Sequence, residues 1–212
     1  MGLLAWNDAQ SLLRTHCQGV RRAILSAWSD YLSCDNYSPA VRATHCSTTR
    51  ANCVHDHIKE RISTYAQSYP GELEVRSPNR MFTLVVNDVA AIRFKKVDRD
   101  LQTSNHPTGQ ALAYKRQEEV PLLSDLAHLE IGYQLDITEQ RIQAIFVLCP
   151  NGEHDYYWVA ELTEESADSV VSDFFDARPQ VDDAIDESVV RPRRGADVVP
   201  FKRNPADESP SR

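Results

Sequence analysis

Apolar residues fall at Leu13, Cys17, Val20, Ile24, Ala27, Trp28 and Tyr31, the three-four spacing of a helix that buries one face. This predicts an amphipathic helix over 8–31, capped by Asn7 or Asp8. "CDNYSP" reads as a connector, with Ser38 placed to cap and Pro39 placed to begin a second helix. That helix is carried by Ala51, Val54, Ile58, Ile62 and Tyr65 to about Ser68, where "YPG" ends it.

The period then shortens to that of strands. "MFTLVV" and "VAAIRFKKV" flank Asn87-Asp88, a two-residue hairpin signal. A polar loop follows, and Thr108 is placed to cap a short helix that runs to about Glu118. "LAHLEIGYQL", "RIQAIFVL" and "YYWVAEL" predict an antiparallel meander, with the middle run apolar on both faces like a strand covered on both sides. The predicted fold class is α+β, in the order ααββαβββ. Two N-terminal amphipathic helices pack on a mainly antiparallel sheet of about five strands, with one short inserted helix.

Composition changes this picture at the C-terminus. Residues 1–162 read as one α+β globular domain, whereas 163–212 turn acidic through "TEESADSVVSDFFDARPQVDDAIDES" and then basic through "RPRRGADVVPFKR". The second segment is expected to be a flexible charged tail, ordered only when something binds it. A formal net charge of -8 excludes a global field toward nucleic acid or anionic membrane, so such a contact needs a local basic patch. Cys17, Cys34, Cys46, Cys53 and Cys149 form no disulfide framework. The N-terminus lacks the basic start of a secretory signal, and no apolar run reaches membrane-spanning length. A cytoplasmic protein with no membrane partner is the expectation.

The segment "THCSTTRANCVHDHIKE" gathers His45, Cys46, Cys53, His55, Asp56 and His57. On a continuous helix, at about 100° and 1.5 Å per residue, Cys46 and His57 lie roughly 16 Å apart, so one ion cannot bridge the group. Cys53 and His57 are spaced for two zinc ligands, but no second spaced pair accompanies them, and no metal or cofactor is expected. The cysteines then read as small packing residues. Arg50 and His57 share a stripe, and Arg offers a fork for phosphate or carboxylate while His exchanges protons near neutrality. His55 and Asp56, being neighbours, diverge on the helix and form no relay.

A second concentration of polar chemistry lies in "AIRFKKVDRDLQTSNHPTGQALAYKRQ". Arg93 and Lys95 share one face of a strand. Asn105 lies in the following loop, and Gln110, Tyr114 and Gln117 make a helical stripe. Together these suit a cleft for a phosphate group, a nucleotide or RNA, with Tyr114 or Tyr133 stacking a base. An exposed hairpin guarded by lysines is the ordinary alternative. No glycine-rich phosphate loop, G-x-S-x-G elbow or H-E-x-x-H helix is present. The position two before Lys95 is Arg93, where a restriction-type nuclease needs an acid.

"RANCVHDHI", "IRFKKVDRDLQTSNHPTGQALAYKRQ" and "LEIGYQLD" resemble a group of small bacterial and phage proteins encoded beside a helix-turn-helix or metallopeptidase-like regulator. That arrangement is similar to a toxin-antitoxin locus of the RosmerTA antiphage type, with this chain in the toxin's place. The resemblance spans roughly residues 40–162. It implies a cytosolic effector whose protein partner is a cognate antitoxin or regulator and whose ligand is a nucleotide or RNA. On this reading Arg50, Arg93, Lys95, Asn105, Gln110, Gln117 and Tyr133 bind the ligand, and His55, Asp56 and His57 are the candidate catalytic groups. The alternative is a non-catalytic interaction or regulatory protein that recruits a partner through its helices and tail.

Overall fold

The computed structural model describes residues 3–103 and 108–164. Asn105 and the tail beyond Glu164 lie outside the described residues. The helices are α1 (Trp6–Leu13), α2 (Cys17–Ser33), α3 (Pro39–Thr44), α4 (Ser47–Gln67) and α5 (Gly109–Lys115). The strands are β1 (Leu73–Arg76), β2 (Thr83–Val86), β3 (Ala90–Val97), β4 (Ala127–Leu135), β5 (Ile142–Pro150) and β6 (Tyr156–Glu161). They form one six-stranded sheet in sequence order. Every neighbouring pair is antiparallel except β3 and β4, which run parallel across the crossover that carries α5.

The α+β class holds, and the differences are local. The sheet has six strands where the sequence suggests about five, because "LEVR" is too short for a period-two pattern to stand out and is fixed instead by pairing with β2. The first predicted helix breaks between α1 and α2. There the buried His16 bonds the Tyr65 hydroxyl through Nδ1 at 3.2 Å and pairs with Glu72 through Nε2 at 3.3 Å. The second breaks at His45–Cys46. Ser38 caps α3 as expected, and Cys46 is the cap of α4, its sulfur accepting from the Thr49 amide. Cys46 therefore lies just outside α4 and not within the continuous helix read from the sequence. The β2–β3 turn contains Asn87, Asp88 and Val89, with Asn87 and Asp88 both left-handed.

Two apolar layers flank the sheet. On one face, Ile92, Phe94, Leu129, Ile131 and Tyr133 join the buried faces of α2 and α4. On the other, Val85 and Ala91 pack with Tyr114 of α5 and with Val120, Leu123 and Leu126. Full burial of each large apolar side chain contributes about 1.5–3 kcal/mol, so the helical layer dominates stability. The α2–α4 seam depends on Gly19: a Cβ there would lie 2.1 Å from Cζ of Tyr65. Gly19→Ala should therefore cost about 1–3 kcal/mol in chemical denaturation, against the roughly 1 kcal/mol that alanine gains from helix propensity. A stabilised variant would show that Tyr65 moves aside freely.

One consequence of register positions the site. β2 pairs with β3 only from Ala90 to Ile92, whereas β4 pairs along all of β3. From Arg93 to Val97, β3 therefore has a strand on one side only.

Candidate functional site

Along that open edge, alternation sends Phe94 and Lys96 toward α4 and Arg93 and Lys95 toward α5. Two adjoining cavities result. The smaller, about 210 Å³, is lined by His55, Arg80, Arg93, Phe94, Lys95 and Gln110 among others. The larger, about 400 Å³, lies between the first half of α4, the end of β3 and the β4–β5 turn. His55, Phe94 and Lys95 line both cavities, so the two form one bent cleft. Asn79 and Arg80 turn the chain at the small cavity's rim with consecutive left-handed residues (φ 48° and 68°). Non-glycine residues hold that conformation only when their surroundings enforce it.

Behind the small cavity lies a layer of buried polar side chains. Arg93 is 6% exposed and Glu130, its partner across the parallel pair, is 0% exposed. Arg93 Nη1 stands 3.7 Å from Glu130 Oε1, an ion pair too long for a hydrogen bond. Neither carboxylate oxygen nor Arg93 Nη1 has a hydrogen-bond partner among the described residues. The guanidinium carbon lies 4.9 Å from the centre of the Tyr114 ring, a favourable cation–aromatic approach. Tyr114 is anchored by its hydroxyl, 2.6 Å from both Ala91 O and Leu129 O, and His128 stacks on its other side at 4.2 Å.

Burial sets the protonation of the cleft. Desolvation, assisted by Lys59 and Lys95, lowers the His55 pKa to about 4, so its imidazole is neutral at physiological pH. Desolvation and then the nearby Arg93 bring Lys95 down to about 8. The cleft thus holds a neutral imidazole beside an ammonium that releases its proton within reach of neutral pH, a pairing typical of functional sites.

Of the residues singled out in the sequence, the cleft gathers His55, Arg93, Lys95, Gln110 and Tyr133. Gln110 donates to Pro78 O at 3.2 Å. Tyr133 lines the larger cavity but is 2% exposed, and Tyr114 is fully buried, so neither ring is open to stack a base. Asp56 is exposed and pairs with Lys59 on its own helix at 2.8 Å. His57 lies toward α2, where it reinforces the Arg61 bond in lowering the Asp30 pKa. Arg50 lines neither cavity; with Lys96 it clasps the Glu139 carboxylate at the larger cavity's edge. Gln117 ties β4 to β5, donating to His128 O at 2.7 Å and Pro150 O at 3.1 Å while accepting from His128 N at 2.9 Å.

Sequence reasoning did not single out Glu130, Arg80, Lys96 or Glu139. Glu130 had a signal: with His128 it interrupts an apolar strand on one face. Arg80 had none, since its place depends on a turn. Among the described residues, no group of three or more His, Cys, Asp or Glu side chains is placed to hold a metal. None of their helices is long and apolar enough to cross a membrane. No protein-family model, curated protein or solved structure matches the chain.

Proposed function

We propose that the chain is a cytosolic effector, the toxic member of a toxin-antitoxin or phage-defence pair, that binds a phosphate-containing ligand in the cleft at the open edge of β3. The observation supporting this reading is the convergence of Arg80, Arg93 and Lys95 on one small cavity that no carboxylate lines among the described residues. A phosphate would accept charge-assisted hydrogen bonds from these cations. The neutral His55 would face it as the candidate proton acceptor. The effector role and the antitoxin partner rest on the resemblance, and the phosphate site is supported by the geometry.

Two measurements test the two parts. Lys95→Met should weaken inorganic phosphate binding at least tenfold at pH 7, as loss of one charged bond worth about 1.5–3 kcal/mol requires. The wild-type affinity should fall above pH 8 as Lys95 gives up its proton. The variant should remain at least as stable as wild type. A lysine held below its unfolded value of 10.5 favours the neutral form in the fold, so its protonation opposes folding at pH 7. Induced expression in a bacterial host should slow growth, and Lys95→Met at a matched protein level should relieve it. A harmless wild-type chain would remove the effector role and leave the interaction protein in its place.

A further inference from the structure

The two halves of the cleft differ in charge. Arg80, Arg93 and Lys95 line the small cavity, with no carboxylate among the described residues. The larger cavity is balanced: Lys95, Lys96 and Arg99 face Asp98, Asp136 and Glu139. Those carboxylates are fixed in place. Asp98 accepts from the amides of Asp100 and Gln102 at 2.9 and 2.8 Å. Asp136 accepts from the Gln140 amide at 2.9 Å and the Thr138 hydroxyl at 3.0 Å. Glu139 is held by Arg50 and Lys96.

A nucleic-acid strand carries one charge per nucleotide, and proteins that bind it present a continuous basic track. Here the basic surface stops after one cavity. A second phosphate placed in the larger one would meet, beside its three cations, three carboxylates. Their remaining lone pairs suit a different chemistry, since carboxylates and side-chain amides bind hydroxyl and amino hydrogens. Asn52, Gln102 and Gln134 add amides to the lining of the same cavity, and Asn52 is exposed on α4.

Resting on the phosphate reading above, we infer that the cleft takes a single phosphate monoester on a hydroxylated body, a phosphorylated sugar or mononucleotide, and not a nucleic-acid strand. The phosphate occupies the small cavity lined by Arg80, Arg93 and Lys95. The hydroxyls lie along Asn52 and the carboxylate wall. His55 and Lys95, common to both cavities, mark the junction between phosphate and body.

The test is competitive binding to the full chain by inorganic phosphate, ribose 5-phosphate, adenosine 5′-monophosphate and a short oligoribonucleotide with hydroxyl at both ends. Ribose 5-phosphate should bind at least tenfold tighter than phosphate and at least tenfold tighter than the oligonucleotide. Asn52→Leu, a change on an exposed helical position, should erase much of the gain of the sugar phosphate over phosphate while leaving phosphate itself unaffected. Equal affinity for ribose 5-phosphate and the mononucleotide would assign the site to the sugar phosphate, and tighter mononucleotide binding would add a seat for the base; either supports the inference. An oligonucleotide that outbinds ribose 5-phosphate, or a sugar phosphate no tighter than phosphate, overturns it. If Lys95→Met abolishes binding in those cases, the phosphate site itself stands. Failure of phosphate and all the phosphate-bearing ligands to bind overturns both.

Discussion

Replacing Arg93 with Met is expected to lower stability by about 3–5 kcal/mol, the usual cost of removing one partner from a buried ion pair. Glu130, at 0% exposure and without a hydrogen bond to either oxygen among the described residues, would keep a buried carboxylate whose nearest charge partner had gone. Replacing both residues, Arg93→Met with Glu130→Met, should recover most of the loss, because two apolar side chains of similar volume impose no desolvation cost. Urea denaturation of the two single variants and the double variant gives the coupling between the sites. An Arg93→Met chain as stable as wild type would show that the pair contributes nothing to stability.

That experiment also bears on the cleft. Arg93 is the first charged neighbour acting on Lys95, after burial itself. Its removal should raise the Lys95 pKa from about 8 toward the ordinary 10.5, an effect visible in a side-chain titration by NMR. The pair is geometrically poor at 3.7 Å, and a hydrophobic pair would serve folding at least as well. Its use is better sought in what it places beside the small cavity, a nine-tenths buried guanidinium facing the Glu130 carboxylate. On the phosphate-binding reading proposed above, stability is given up locally for a site in which the cation is already desolvated when the ligand arrives.

How far the sequence discloses this site depends on which physical rule places each residue. Arg93 and Lys95 were legible because a strand has period two, and the rule needs no knowledge of neighbours. Glu130 needs the β3–β4 register, which is parallel and spans an intervening helix, so its proximity to Arg93 could not be read from spacing. His55 was legible as a residue and not as a position. Uninterrupted helix geometry placed it off the favoured Arg50–His57 stripe, but the open edge of β3 brings the cleft to its side of α4. The helix breaks at His16 and Cys46 were hidden for a similar reason. Each rests on contacts of low sequence specificity: His16 on Tyr65 and Glu72 from distant segments, and Cys46 on a sulfur-to-amide cap that weakly resembles the usual hydroxyl caps.

His55 should make the fold acid-sensitive mostly above the pH range in which the carboxylates act. Its pKa lies at about 4 in the fold against an ordinary 6.5, so between those values the unfolded chain binds a proton that the folded chain refuses. Stability therefore rises with pH across that window and falls as pH drops through it. At 1.36 kcal/mol per pKa unit the full loss is about 3 kcal/mol, of which about 2 kcal/mol arrives by pH 5. Asp30, Glu74, Asp136 and Glu139 have lowered pKa values, so their stabilisation is lost only below their unfolded values near 4. His128, also lowered by burial, adds to the same limb as His55, and for that reason the decisive comparison is with His55→Gln. That variant should lose about 2 kcal/mol less than wild type between pH 7 and pH 5 in urea denaturation. Equal losses would place the imidazole in contact with water and remove it as a buried proton acceptor. A bound phosphate would reverse the sign of its surroundings, since an anion beside His55 and Lys95 favours their protonated forms. Added phosphate should therefore protect wild type at pH 5 more than it protects His55→Gln, which ties the acid sensitivity of the fold to occupation of the cleft.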